Sequence, residues 1–129
     1  MVRTGILNPQ INSLLSRVRH TNTLLITDRG FPYSPTIETV DLSLVDDIPR
    51  VLDVLRAIRL NFTIGRIVMA EEFCPHNSPS VVSEFAEAMS GIEVHFEPHV
   101  EFKKRVPLVI GLIRTGDTIQ FANMVLESS

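Results

Sequence analysis

Apolar residues recur along this chain in two alternating rhythms. Some segments space them three and four apart, others bunch them in short runs, and that alternation predicts a layered α/β domain. Ile11, Leu14, Leu15 and Val18 fall at i, i+3, i+4 and i+7, so one face of a helix carries all four. Asn8 can accept a first-turn N–H and Pro9 has no N–H to leave unpaired, which sets the start; the polar stretch Arg19 to Asn22 ends it. Leu24, Leu25 and Ile26 are continuous, as in a strand covered on both faces, and predict a strand over 23–27. Asp28, Arg29, Gly30 and Pro32 then turn the chain.

The same reasoning carries to the C-terminus. A second extended piece is expected from about Ile37 to Leu44. A helix follows from about Pro49 to Leu60, with Val51, Leu52, Leu55 and Ile58 on one side and Asp46 or Asp47 as its cap. Arg66 to Ala70 reads as a strand. Ser78-Pro79 opens a helix through Met89, and Gly91 closes it ahead of a strand from Ile92 to Phe96. A short helical turn is expected over Pro98 to Lys104. Two last strands fall near Val109 to Arg114 and Phe121 to Leu126, with Thr115-Gly116-Asp117 as the turn between them. There is no internal repeat, low-complexity tract or linker, so residues 1–129 are read as one domain.

Composition narrows the function. The chain has 129 residues, 44% of them hydrophobic, enough for one packed core. A net charge of -3 provides no positive field for a phosphate backbone, so nucleic acid is not an expected partner. No stretch approaches the roughly 18 apolar residues of a membrane span, and the N-terminus lacks the apolar core of a signal peptide. The expectation is a cytoplasmic protein with no membrane partner. The single cysteine, Cys74, has no partner within the chain, which fits a reducing compartment, where the sequon Asn61-Phe62-Thr63 would stay unused.

No cofactor is expected. Neither a Gly-x-Gly-x-x-Gly fingerprint nor a phosphate loop follows any strand. No metal is expected either: Pro98 separates His95 from His99, and Cys74-Pro75-His76 has no second cysteine to complete a ligand set. Glu71 and Glu72 are adjacent in extended chain and so point to opposite faces, which makes them loop charges rather than a reacting pair. Lys103-Lys104-Arg105 reads as a solvated helix face.

Open α/β sheets place ligand chemistry at element ends, and four polar residues stand at such places. His20 follows the first helix, Asp28 the first strand, His99 begins the late turn, and Asn123 lies in the last expected strand. Each has an ordinary reading too: a histidine at a helix end interacts with the dipole, and an aspartate before Arg29-Gly30 forms turns.

Taken in order, several blocks resemble the D-ribose pyranase family, which shares its fold with L-fucose mutarotase. They are Gly5-Ile6-Leu7-Asn8, His20, Asp28-x-Gly30-x-Pro32, Asp41-Leu42-Ser43-Leu44, Ala70-Glu71-Glu72, His99-x-Glu101-Phe102-Lys103, Ile113-Arg114-Thr115-Gly116-Asp117 and Ala122-Asn123. The resemblance spans nearly the whole chain. It implies a three-layer α/β/α sandwich with a mixed sheet, assembled into a ring-shaped homo-oligomer, read as a decamer, with each site completed by a neighbouring subunit. It implies His20 as the catalytic residue, and Asp28, His99, Lys103, Phe121, Ala122 and Asn123 as the residues that bind a monosaccharide.

The implied reaction moves one proton off an anomeric hydroxyl and another onto the ring oxygen, which opens a pyranose; closure by a different hydroxyl gives the furanose. Free imidazole titrates near neutrality and suits both transfers. In that scheme His20 transfers the proton, Asp28 binds a sugar hydroxyl and helps fix the imidazole, and His99 and Asn123 hold other hydroxyls. Two departures stand out. Phe121 replaces the family's usual tyrosine ahead of Ala122-Asn123, and an unreplaced hydrogen bond to a buried hydroxyl costs about 1–3 kcal/mol. The tail after Leu126 is short, which bears on subunit packing. An L-fucose-type mutarotase, within the same chemistry, and a non-catalytic sugar-binding relative, of a different class, therefore stand beside the ribose reading, with a nucleotide-binding α/β module as a distant third class.

Overall fold

A computed structural model describes residues 1–129. Helix α1, Pro9–Arg17, starts where the pattern puts it: the Asn8 side chain accepts the Ile11 N–H at 2.9 Å, and Ile11 and Leu14 are buried. Strand β1, Thr23–Thr27, also has the expected bounds, and its last four residues are buried. Strand β2, Thr39–Asp41, is much shorter than the extended piece expected there. It pairs only with strand β5, Gly111–Arg114, and so forms one edge of the sheet.

Helix α2, Val51–Arg59, buries Val51, Leu52, Val54, Leu55 and Ile58. Its expected cap is wrong. Asp47 is in the left-handed region at φ 65, and its carboxylate turns away to accept the Thr118 N–H and hydroxyl, while Asp46 pairs with Arg29. The first N–H of α2, that of Val51, instead donates to the Asp117 carboxylate at 2.9 Å.

Strand β3, Ile64–Ala70, leads through an unforeseen single turn, α3, Phe73–His76, to helix α4, Pro79–Ala88, capped by the Ser78 hydroxyl. Strand β4, Glu93–Glu97, lies one residue later than expected, and is followed by α5, His99–Lys103, and a 3-10 turn, Val106–Leu108. Strand β6, Met124–Ser128, closes the chain.

The sheet is mixed, in the order β2-β5-β1-β6-β3-β4. Strands β2, β5 and β1 run parallel to one another, as do β3 and β4, and β6 runs antiparallel between β1 and β3. The two strands expected on either side of Thr115-Gly116-Asp117 do not pair with each other, because β1 lies between β5 and β6. Alternation of side chains splits the core. Leu24 and Ile26 join the cluster that holds α1, α2 and α4 against one face, while Leu25 faces Phe102 of α5, Val106 and Val109 on the other. Helices on both faces make this an α/β layered fold, the second outer layer being thin. No helix is long and apolar enough to cross a membrane.

Candidate active site

One edge of the sheet collects the carboxyl ends of β1, β3, β4 and β5, and the start of antiparallel β6. This is the edge where open α/β sheets hold ligands. A cavity of about 780 Å³ opens there, lined by Asp28, Gly30, His99, Lys103, Phe121 and Asn123 among others. Its size lies in the ~300–1,000 Å³ range of small-molecule sites.

Asp28 is the first residue after β1, and its N–H donates to the Asn123 side-chain oxygen at 2.8 Å. Its carboxylate accepts the Gly30 N–H at 3.0 Å, which folds the chain into the tight turn that its position suggested. Burial pushes the Asp28 carboxyl above its ordinary value. The N–H groups of Gly30 and Phe31 and the Asn123 side chain pull the other way, and Asp117 adds to the rise. Asn123 is buried and stands just ahead of β6 rather than within a strand, since β6 begins at Met124.

His99 and Lys103 lie four residues apart on α5, one turn of the same face, and so line the same wall. The His99 ring stacks near Phe102, with centroids 6.1 Å apart and planes 18° apart, and meets Phe121 edge-on at 5.2 Å. Phe121 is held at φ 56, the left-handed region, where its ring also contacts His76 at 5.0 Å. Ala122, expected to bind the ligand, is instead fully buried in the helix-side core and does not line the cavity, because its small side chain faces the packed interior.

His20 is the exception. It precedes β1 whereas Asp28 follows it, so five strand residues at about 3.3 Å each separate them. The imidazole is exposed and does not line the cavity. Asp28 therefore does not fix the His20 ring of the same chain, contrary to expectation. Both residues flank the same strand, but at opposite ends, which "near an element end" did not distinguish.

The loop after β1 is fastened from outside the cavity. Arg114 donates from Nε and Nη2 to the Arg29 carbonyl at 3.1 and 2.9 Å, and from Nη1 to Asp41 and Ser43 at 2.9 and 2.8 Å. Burial opposes ionisation of Asp41, but the Ser43 hydroxyl and N–H and the Arg114 guanidinium outweigh it and hold the carboxyl low. Thr115 donates its hydroxyl to Thr27 O at 2.7 Å, which binds the ends of β1 and β5 together.

Two charge readings change. Arg105 is no part of a solvated face: its guanidinium makes two bonds to Glu97, at 2.6 and 2.8 Å, while Lys104 pairs with Glu101 and Lys103 lines the cavity. Glu72 is not a loop charge, since both its carboxylate oxygens accept the His99 N–H, at 3.0 and 3.1 Å. Local spacing could not reveal that bond, because 27 residues separate the partners. Arg29, Tyr33, Thr118 and Gln120 also line the cavity without having been singled out; the turn signals at Gly30-x-Pro32 and Thr115-Gly116-Asp117 were their only mark.

The chain is similar to known proteins over its whole length. The chain is 38% identical over 128 residues to a D-ribose pyranase of Geobacillus kaustophilus (strain HTA426), covering 99% of this chain and 93% of that protein. It is 35% identical to a D-ribose pyranase of Staphylococcus aureus (strain USA300 / TCH1516), covering 100% and 98%. The structure of Bacillus subtilis RbsD complexed with D-ribose superposes with a TM-score of 0.92 at 26% identity, over 100% of this chain and 98% of that one. A fucose mutarotase in complex with L-fucose from Streptococcus pneumoniae shares the fold, with a TM-score of 0.80 at 14% identity over 95% and 93%. All of residues 1–129 match the family described as RbsD / FucU transport protein, and the chain belongs to that family.

Proposed function

We propose that this chain is a sugar mutarotase that interconverts the pyranose and furanose forms of D-ribose, working as one domain over residues 1–129. The observation that carries this is the convergence of Asp28, His99, Lys103 and Asn123 on one cavity at the carboxyl edge of the sheet. Those groups offer a carboxylate, an imidazole, an ammonium and an amide, a set that can hold several hydroxyls of one small ring. Curated relatives named D-ribose pyranase, and a close structural counterpart with D-ribose bound, support the choice of sugar.

The reaction needs no net change of atoms or electrons. A base takes the anomeric O–H proton as the bond from the anomeric carbon to the ring oxygen breaks, an acid protonates that oxygen, and an open-chain aldehyde results. Attack by the next hydroxyl along the chain closes the five-membered ring, with the two transfers reversed. General acid/base help contributes a factor of about 10² to 10⁴. Asp28, His99, Asn123 and Lys103 bind and orient the sugar, and Phe121 lies against its apolar face.

His20 is assigned the proton transfers, and because it sits at the far end of β1 it serves the cavity of another copy. The assembly is a ring-shaped homo-oligomer, a decamer, in which His20 of the partner subunit completes each site. Exposed Leu44, Val45 and Ile48 support an assembly of this kind, since they form a tip tied to the cavity wall through Asp47 and Thr118. The enzyme acts in the cytoplasm.

Magnetisation exchange between ribopyranose and ribofuranose signals tests the reading. Wild-type protein should accelerate it, and His20→Ala and Asp28→Asn should each return it to background. Co-refolding the two variants should restore part of the rate, because some mixed interfaces then pair an intact His20 with an intact Asp28. Exchange that survives His20→Ala removes that residue from the mechanism, and failure of the mixture refutes the shared site. Phe121, which lacks the family hydroxyl, favours one second reading, a sugar binder without turnover. Ribose would then raise the melting temperature by mass action without speeding exchange.

A further inference from the structure

We propose that Glu72 is a positioning residue of the sugar site, acting through His99. The inference rests on the function proposed above, since His99 matters here as a group that holds a sugar hydroxyl.

Glu72 is reached at the end of β3 and faces the start of α5, the five-residue helix that carries His99 and Lys103. Within α5 the N–H groups of Glu101 and Phe102 donate to the Pro98 carbonyl, which leaves those of His99 and Val100 ahead of any helical acceptor. The N–H of its first residue, His99, donates to Glu72 Oε1 and Oε2 at 3.0 and 3.1 Å. Two acceptor oxygens bracketing one N–H pin it in direction as well as distance, and a charged acceptor makes the stronger bond. The Cα of His99, and with it the origin of its imidazole, is thereby tied to β3.

The main chain of Glu72 orders the other side of the same aromatic group. His76 Nδ1 lies 2.8 Å from Glu72 O, a contact that a carbonyl makes only with an N–H, so that nitrogen carries the proton. The His76 ring then packs against Phe121 at 5.0 Å, while His99 meets Phe121 at 5.2 Å. One residue, half-buried beside the cavity and not lining it, fixes the imidazoles on both sides of Phe121. Its neighbour Glu71 is exposed, and its side chain makes no such bond.

A residue that places a binding group alters binding more than the chemical step. In ribose exchange measured against sugar concentration, Glu72→Ala should raise KM on the order of 10-fold or more, with a smaller change in kcat. Glu72→Gln keeps one acceptor oxygen and should give an intermediate rise; it also carries the test if the alanine variant fails to fold. Glu71→Ala should match wild type.

The decisive measurement is a cycle with His99→Ala: the KM penalty of either Glu72 variant should vanish once the imidazole is gone. A full penalty retained in the His99→Ala background, or a Glu72→Ala protein with wild-type KM, overturns the proposal. Wild-type protein that accelerates no exchange overturns the function, and this inference with it. Wild-type exchange with an uncoupled Glu72 overturns the inference alone.

Discussion

The Asn123 side-chain oxygen accepts the Asp28 N–H at 2.8 Å, although 95 residues separate the two in sequence. That bond joins the exit of β1 to the entrance of β6, two antiparallel neighbours, and so sets the floor of the cavity. Asn123 then has its NH2 left for the Asp28 carboxyl, a division of labour that the amide's opposite ends allow.

Asn123→Ala should therefore damage fold and site together. It leaves the Asp28 N–H without its partner, at a cost of about 1–3 kcal/mol. Urea denaturation should show that loss with an unchanged slope, and ribose titration of the folded variant should show weakened binding. A variant as stable as wild type, with wild-type affinity, would mean that water replaces the amide fully.

Asp28 makes a prediction with a definite sign in pH. Burial raises its folded carboxyl above the ordinary value of 3.8, so the folded state holds that proton more tightly than the unfolded chain does. The stabilisation is fully present below the unfolded value and is lost as pH rises through the folded one. Compared with Asp28→Asn, which does not titrate there, wild type should lose stability over that window and stay level above it. Denaturation of both proteins from acid to neutral pH checks this; a difference that grows in wild type's favour as pH rises reverses the sign and refutes it.

Phe121→Tyr restores the hydroxyl of the family pattern within the cavity lined by Asp28, His99, Lys103 and Asn123. One added neutral hydrogen bond is worth about 0.5–1.5 kcal/mol, a roughly 2- to 12-fold tighter ribose affinity. The fold should be untouched, since the ring edge at this half-buried position has room toward the cavity. Calorimetric titration with ribose and with fucose reads it; an equal change for both sugars would show that the hydroxyl does not discriminate, and weaker ribose binding would show that Phe121 is adapted to another sugar.

Features governed by neighbours in the chain were legible in the sequence. The Asn8-Pro9 and Ser78-Pro79 starts are local hydrogen-bond chemistry, and β1 is a run of apolar residues whose burial needs no further information. Strand β2 was overestimated because apolar Ile37 and Leu42 pack from loops, where a hydrophobic count cannot separate them from a strand. The site was legible to the extent that its residues follow strands. What periodicity could not supply was the end of the sheet each residue occupies, so His20 and Asp28 looked like companions. The cap of α2 and the bond from His99 to Glu72 were hidden for a related reason: the partners lie 66 and 27 residues away.

The first of those hidden partners gives the strongest stability prediction. Asp117 is 1% exposed, and its two oxygens accept Val51 N–H at 2.9 Å and Ile119 N–H at 2.8 Å, while its carbonyl accepts Arg29 N–H at 3.0 Å. The carboxylate thus closes the N-terminus of α2, where its charge is favoured by the dipole, and shapes the loop that carries Thr118 and Gln120 into the cavity. Asp117→Ala orphans two N–H groups, so it should cost on the order of 3 kcal/mol or more. Asp117→Asn keeps one acceptor oxygen and should cost about half as much. Because α2 contributes five buried residues to the main core, the loss should appear in the global unfolding transition and not only as local opening. Hydrogen exchange separates the two cases: protection falling equally in α2 and β1 fits this reading, whereas a fall confined to Val51 and the 117–120 loop would reduce Asp117 to a loop residue.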